Sequence, residues 1–156
     1  MDTLASARSC HHAAIQITTQ HPTEFADVTD HLNRLVSKAG VQVGTLTLQT
    51  LHTTTGIVVN EHEPLLLLDF ERLLDRTVPR STAYWHDELP LRPAVAADER
   101  HNGHAHCRAL LLPSSVVLTI VDGALRLGRW QRVFLAEFDG PQERELSVVI
   151  LGEAAL

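Results

Sequence analysis

Positive charge, cysteine and aromatic side chains are all scarce in this chain. Thirteen Lys and Arg stand against nineteen Asp and Glu, a formal charge of -6. Sequence-independent nucleic-acid binding needs a basic face, so no nucleic-acid partner is expected. The two cysteines, Cys10 and Cys107, are too few for a disulfide framework and too distant for a Cys-x-x-Cys site, a usage that predicts a cytoplasmic protein. No stretch approaches the ~18 apolar residues of a membrane span, and Met1 to Cys10 holds no apolar signal core, so no membrane association is expected. Aromatics amount to one Tyr, two Trp and four Phe. Against these scarcities ten histidines stand out, and histidine is both the commonest metal ligand and the usual acid or base near neutral pH.

At 156 residues, without repeats or low-complexity tracts, the chain fits one domain with about two-thirds of its unfolded surface buried. Residues 1–13 lack a clear period and are expected to form a flexible N-terminus ahead of a domain spanning 14–156. Residues 14–19 alternate apolar and polar, as a half-wet antiparallel strand does. His21-Pro22-Thr23 breaks it, and Phe25, Val28, Leu32, Leu35 and Val36 predict a helix over 24–39 that stops at Gly40. The longest alternation, 41–50, predicts a strand, and 57–59 another. Pro64 suits the first turn of a helix over 65–76. The irregular stretch 80–100 reads as a long loop, a kind usually functional or disordered. A short helix over 102–112 ends at Pro113, and strands at 116–121 and 124–127 flank Asp122-Gly123, a strong hairpin signal. Trp130 is expected in the core. Strands at 132–138 and 145–151 close the chain. About seven strands and three helices, with hairpins dominating the second half, give an α+β fold with a mostly antiparallel or mixed sheet.

The chemistry concentrates around Asn102-Gly103-His104-Ala105-His106. On a helix, Asn102 and His106 share one face, while His104 is turned roughly 200° from His106. A non-helical turn would let both imidazoles converge. Leu51-His52-Thr53-Thr54-Thr55-Gly56 follows the longest strand; an imidazole, three hydroxyls and a glycine can surround an anion. Asn60-Glu61 follows the next strand, a place for site residues or for a helix cap. Tyr84-Trp85-His86-Asp87 heads the long loop, where His86 and Asp87 offer an acid/base or ligand pair. Gln131 either aligns a ligand or pairs with backbone.

Six motifs run in register: His52 to Gly56, Asn60-Glu61, His86-Asp87, Asn102-x-x-Ala105-His106, Asp122 to Gln131, and Glu137 to Pro141. In this order they resemble the YjbQ family, also called secondary thiamine-phosphate synthases, across residues 14–150. The resemblance implies an α+β homotrimer with a small polar site near subunit boundaries. It also implies a weak synthase activity that joins hydroxymethylpyrimidine diphosphate to a thiazole phosphate with loss of pyrophosphate. Carried over by position, His52, Glu61, His86 and His106 become catalytic candidates. Thr53, Thr54, Gly56, Asn60, Asp87, Asn102, Gln131 and Arg144 become candidates for holding a small phosphorylated ligand. The chain departs from the family pattern in having His104 where an Asp is common, a longer link from His86 to His106, Arg129 before Trp130, and Gln142 in place of an Arg. The last change removes a guanidinium that could grip phosphate bidentately, a loss that Arg108, Arg129 or Arg144 would have to offset.

Three chemistries are compatible with these residues. One is the synthase reaction, in which Mg²⁺, imidazolium, hydroxyls or guanidinium stabilise the departing pyrophosphate. A second is a transition-metal site, Zn²⁺ or a relative, with His52, His106 and one of His86 or His104 as ligands and Glu61 as base, suited to hydrolysis or lyase chemistry. The third is a non-catalytic trimer holding a small anion.

Overall fold

A computed structural model describes residues 8–154. Eight strands and three α-helices occupy these residues. In chain order they are β1 (Arg8–Thr18), β2 (Glu24–Asp27), α1 (Thr29–Ala39), β3 (Val41–Thr50), β4 (Thr55–Glu61), α2 (Pro64–Thr77), α3 (Gly103–Ala109), β5 (Ser115–Val121), β6 (Ala124–Leu125), β7 (Gln131–Glu137) and β8 (Glu143–Ala154). The strands form two sheets, ordered β1-β8-β3-β5-β6 and β2-β7-β4, and every pairing is antiparallel. This is the expected α+β class.

Period-2 alternation explains how the layers stack. Leu46 and Leu48 of β3 and Leu146, Val148 and Ile150 of β8 point inward from the larger sheet. There they meet Ile57, Val133 and Leu135 from the smaller one. α1 plugs one end of this sandwich with Leu32 and Val36, and Gly40 ends the helix in the left-handed region at φ 68°. The outer face of the smaller sheet carries Ala136, Phe25 and Val58, and on it sit Leu74 of α2 and Ala105 and Ala109 of α3. No helix among the described residues covers the outer face of the larger sheet. Among the described residues, no helix is long and apolar enough to cross a membrane.

Three sequence expectations need correction. Residues 24–27 form strand β2, paired with Phe134–Glu137 of β7, and the helix begins only at Thr29. Strand β1 begins at Arg8, so residues 8–13 of the expected flexible terminus are paired with 148–153 of β8; residues 1–7 lie outside the described part. Trp130 is 60% exposed and sits beneath the Arg129 guanidinium at 4.6 Å, a cation–π contact on the surface rather than a core anchor. The loop over 80–100 contains two short 3-10 turns, Trp85–Asp87 and Leu89–Leu91.

Candidate functional site

The chain crosses from the larger sheet to the smaller one at Leu51–Thr54, between β3 and β4. The β3–β8 ladder ends where Thr50 faces Leu146. Beyond it, the Glu145 N–H donates to His52 Nε2 at 2.9 Å, so the imidazole takes the place of the next ladder carbonyl. An Nε2 that accepts from a backbone amide leaves the proton of the neutral ring on Nδ1. Burial, and then the nearby Arg144 guanidinium, hold the His52 pKa below its ordinary value. His52 is therefore a neutral N–H donor.

Thr50 and Thr55 join Oγ to Oγ at 2.5 Å across the base of the turn. Thr54 is buried and accepts from Arg144 Nη2 at 3.1 Å. Arg144 in turn meets Glu137 through Nε at 2.5 Å and Nη2 at 2.8 Å. This fully buried pair bolts β8 of one sheet to β7 of the other. Thr54 and Arg144 are thus structural, not the anion contacts expected of them. Gly56 also serves packing: a Cβ there would lie 2.6 Å from Leu112 Cβ.

Helix α3 supplies the opposite wall. Its first N–H, from Gly103, donates to Asp87 Oδ1 at 2.9 Å, so Asp87 is a helix cap rather than half of an acid/base pair. Asn102 Nδ2 donates to Asp139 Oδ2 at 2.9 Å, and Arg100 Nε meets Asp139 Oδ1 at 3.1 Å. Helical geometry separates the two histidines of the motif. His106 faces the Leu51–Thr54 turn and lies 4.6 Å, ring to ring, from His86. His104 is buried beside Tyr84 on the other side, with its Nε2 unpartnered. Burial, and then the neighbouring His86, push the His106 pKa down; burial, and then Arg80, do the same for His104. Arg92 Nη1 donates to the His86 carbonyl at 3.4 Å and to Glu99 Oε1 at 2.7 Å, while His86 Nε2 itself has no hydrogen-bond partner among the described residues.

Between the two walls lies an open groove of about 570 Å³. His52, Thr53, His106 and Ser114 give it hydrogen-bonding groups, and Leu51, Ala109, Leu110 and Leu112 give it an apolar side. Among the described residues, no charged side chain lines it. Asn60, Glu61 and Gln131 are not part of it. Glu61 pairs with Gln131 at the far end of the β4–β7 ladder, six residues from Thr55 and therefore roughly 20 Å away. Gln131 Oε1 accepts from the Gly128 N–H at 2.8 Å, the backbone-pairing role.

The expected metal set does not fit this arrangement. His52 Nε2 is committed to a backbone amide, and His104 faces away from His106. Among the described residues no three His, Cys, Asp or Glu side chains converge as metal ligands. The residues that sequence reasoning passed over are Glu137, buried at 0% exposure, and Asp139. Both stood in a recognised motif, but nothing local signalled that they anchor Arg144 and Asn102.

Gly103 tests how tightly this wall is assembled. An added Cβ would meet Tyr84 Cβ at 2.5 Å and Asp87 Oδ1 at 3.2 Å. Gly103→Ala should gain up to about 1 kcal/mol of helix propensity and lose about 1–3 kcal/mol to overpacking, with the Asp87 cap displaced as well. The expected net result is a lower urea midpoint; an unchanged one would mean that the 84–87 turn gives way freely.

The family profile described as "UPF0047 protein YjbQ-like" matches residues 13–153. A UPF0047 protein of Archaeoglobus fulgidus is 36% identical over 137 residues, 88% of this chain and 98% of that protein. One from Methanothermobacter thermautotrophicus is 32% identical over 139 residues, 89% of this chain and 90% of its own length. Among solved structures, a YbjQ-like protein of unknown function from Sulfolobus solfataricus superposes with a TM-score of 0.84 at 32% identity, covering 94% of this chain and all of that one. This chain belongs to the YjbQ/UPF0047 family.

Proposed function

We propose that the groove between the Leu51–Thr54 turn and α3 binds a small phosphorylated heteroaromatic ligand, and that synthase chemistry of the thiamine-phosphate type takes place there. One observation carries the reading: the lining divides into an uncharged donor side and an apolar side, with no carboxylate to repel phosphate. His52 Nδ1–H, the Thr53 and Ser114 hydroxyls and His106 suit phosphate oxygens. Leu51, Leu110 and Leu112 suit the flat face of a pyrimidine or thiazole. In the reaction the bond from the pyrimidine methylene to the diphosphate oxygen breaks, and its electron pair leaves with pyrophosphate. The thiazole nitrogen then donates its lone pair to the methylene. The protein's part is to align the two rings, exclude water and donate hydrogen bonds to the leaving oxygens.

The groove is open, and its surroundings favour a further copy of the chain. Leu51 (51% exposed) and Leu110 (84%) of its apolar side, with Leu111 (54%) adjacent in the chain, form an exposed apolar patch, the kind of feature that marks an association surface. A homotrimer with the groove at its subunit boundaries would cover the patch. It would also allow Asn60, Glu61 and Gln131 of one subunit to serve the groove of another. A second reading, a trimer that holds a small anion by neutral hydrogen bonds without turnover, has in its favour that no Lys or Arg among the lining residues stands ready to stabilise a departing pyrophosphate.

The test is titration calorimetry with hydroxyethylthiazole phosphate on wild type and His106→Ala, followed by a thiamine-phosphate assay containing Mg²⁺ as the diphosphate's counter-ion. Loss of about tenfold or more in affinity, with the melting temperature of the variant held, is expected. Equal binding by the variant overturns the groove assignment. Binding without product selects the non-catalytic trimer.

A further inference from the structure

A second cavity, of about 560 Å³, lies on the opposite side of α3 from the groove, between the β1–β2 connection and α2. Its chemistry differs from that of the groove. Arg108, four residues after His104 on the same face of α3, forms its floor and is only 1% exposed. The guanidinium donates from Nε to the Val78 carbonyl at 3.0 Å, from Nη1 to Thr23 Oγ1 at 3.2 Å and from Nη2 to Asp75 Oδ1 at 2.5 Å. A guanidinium has five N–H donors; three are used, and among the described residues one on each Nη has no acceptor. A buried charge left with unused donors at the floor of a cavity is suited to an oxyanion. Arg80 also lines the cavity, acts with Arg108 on the same His104 ring, and has no ion-pair partner among the described residues, so it adds a second guanidinium.

Carboxylates line the same cavity. Asp75 is taken up by Arg108, and Glu24 Oε2 accepts the Gln20 and His21 N–H groups, whereas Glu71 of α2 lacks an ion-pair partner among the described residues. Phe25 and Leu67 give the space between them an apolar patch. A simple anion would satisfy Arg80 and Arg108 and face Glu71 unfavourably; a simple cation would do the reverse. We propose that this cavity is a binding site for a small zwitterion, with its phosphate or carboxylate against Arg80 and Arg108 and its ammonium against Glu71. The site shares α3 with the groove but none of the groove's lining residues, so it does not depend on the reading of the groove.

The experiment uses the full chain and three probes: O-phosphoethanolamine, inorganic phosphate and ethanolamine. Affinities are read by titration, and the location by amide chemical-shift changes. The expected result is binding of O-phosphoethanolamine at least about tenfold tighter than either half-molecule, with shifts at 21–25 and 71–80. Glu71→Gln and Arg80→Ala, both changes to side chains outside the core, should each weaken it about tenfold or more. His106→Ala should leave it unchanged. Equal affinity for inorganic phosphate and O-phosphoethanolamine, insensitivity to Glu71→Gln, shifts confined to 50–55, or no binding by any probe at millimolar concentration would each overturn the proposal.

Discussion

Arg144→Met is expected to remove about 3–5 kcal/mol of stability, the usual cost of breaking a buried ion pair from one side. For a domain of this length that amounts to a fall of roughly 10 °C in melting temperature. The reason is the position of Glu137. Its carboxylate is fully buried, with Oε1 accepting from the Phe138 and Asp139 N–H groups and from Arg144 Nη2. Oε2 takes Arg144 Nε and the Thr19 hydroxyl. Methionine fills much of the arginine's volume, so the loss reports charge and hydrogen bonding more than a cavity. The amides and the hydroxyl that remain cannot supply the missing countercharge. Adding Glu137→Leu should not restore stability, because the Asp139 N–H would then be buried without an acceptor, at about 1–3 kcal/mol, and the Phe138 N–H would keep only the Thr54 carbonyl at 3.2 Å. Urea unfolding followed by circular dichroism reads both variants against wild type. A loss below about 1 kcal/mol for Arg144→Met would place the pair among the weak surface bridges and remove its role in joining the sheets. Ligand affinity in the groove should fall in parallel, since Glu145, whose N–H fixes His52, is the next residue along β8.

This same pair shows why part of the site was legible in the sequence and part was not. His52, Thr53 and His106 were recoverable because each belongs to a local motif whose backbone geometry sets its direction. The helical reading of 102–106 correctly turned His104 away from His106. Thr54, Gly56 and Arg144 were misassigned because their neighbours come from the other sheet or from α3. Polarity alone does not reveal whether a threonine faces a ligand or a buried guanidinium. Asn60 and Glu61 are kept from the groove of their own chain by local geometry: a strand starting at Thr55 carries both to its opposite end.

The fold shows the same division. Strand β3 announced itself by ten residues of alternation. Strand β2, only four residues long and half-buried throughout, was absorbed into a helix because Phe25 and Val28 fall on the helical spacing of Leu32 and Val36. Its true partner is β7, more than a hundred residues on. The first residues of β1 lacked a period, yet they are held by β8, at the far end of the chain.

Acid should weaken the fold in two separate windows, and the upper one belongs to the histidines of the site. His52, His104 and His106 all have folded pKa values below the ordinary 6.5, with burial the largest cause. For a histidine shifted this way the unfolded chain takes up protons first. Its contribution to stability is therefore complete above pH 6.5 and is lost as pH falls from there through the folded pKa. Each can add a slope of at most about 1.4 kcal/mol per pH unit, less for the partly exposed His52 and His106, where solvent screens the interaction. The opposing charges are few: Glu137 and Glu145 near His52, Asp139 and Glu99 near His106, Asp139 and Asp87 near His104. The lower window belongs to Asp27. Burial alone would raise its pKa, but hydrogen bonds from Arg132, Thr29 and His62 outweigh that and bring it down to about 2. Its contribution is present above the ordinary 3.8 and lost as pH falls from there towards 2. Urea midpoints measured from pH 8 to pH 2.5 should therefore show two declines. His104→Gln or His52→Gln should flatten only the first, and Asp27→Asn only the second. A midpoint that stays level between pH 7 and pH 5 in wild type would mean that these imidazoles protonate as easily folded as unfolded. The neutral-donor role assigned to His52 would then have to be given up, because a protonated ring cannot accept the Glu145 N–H.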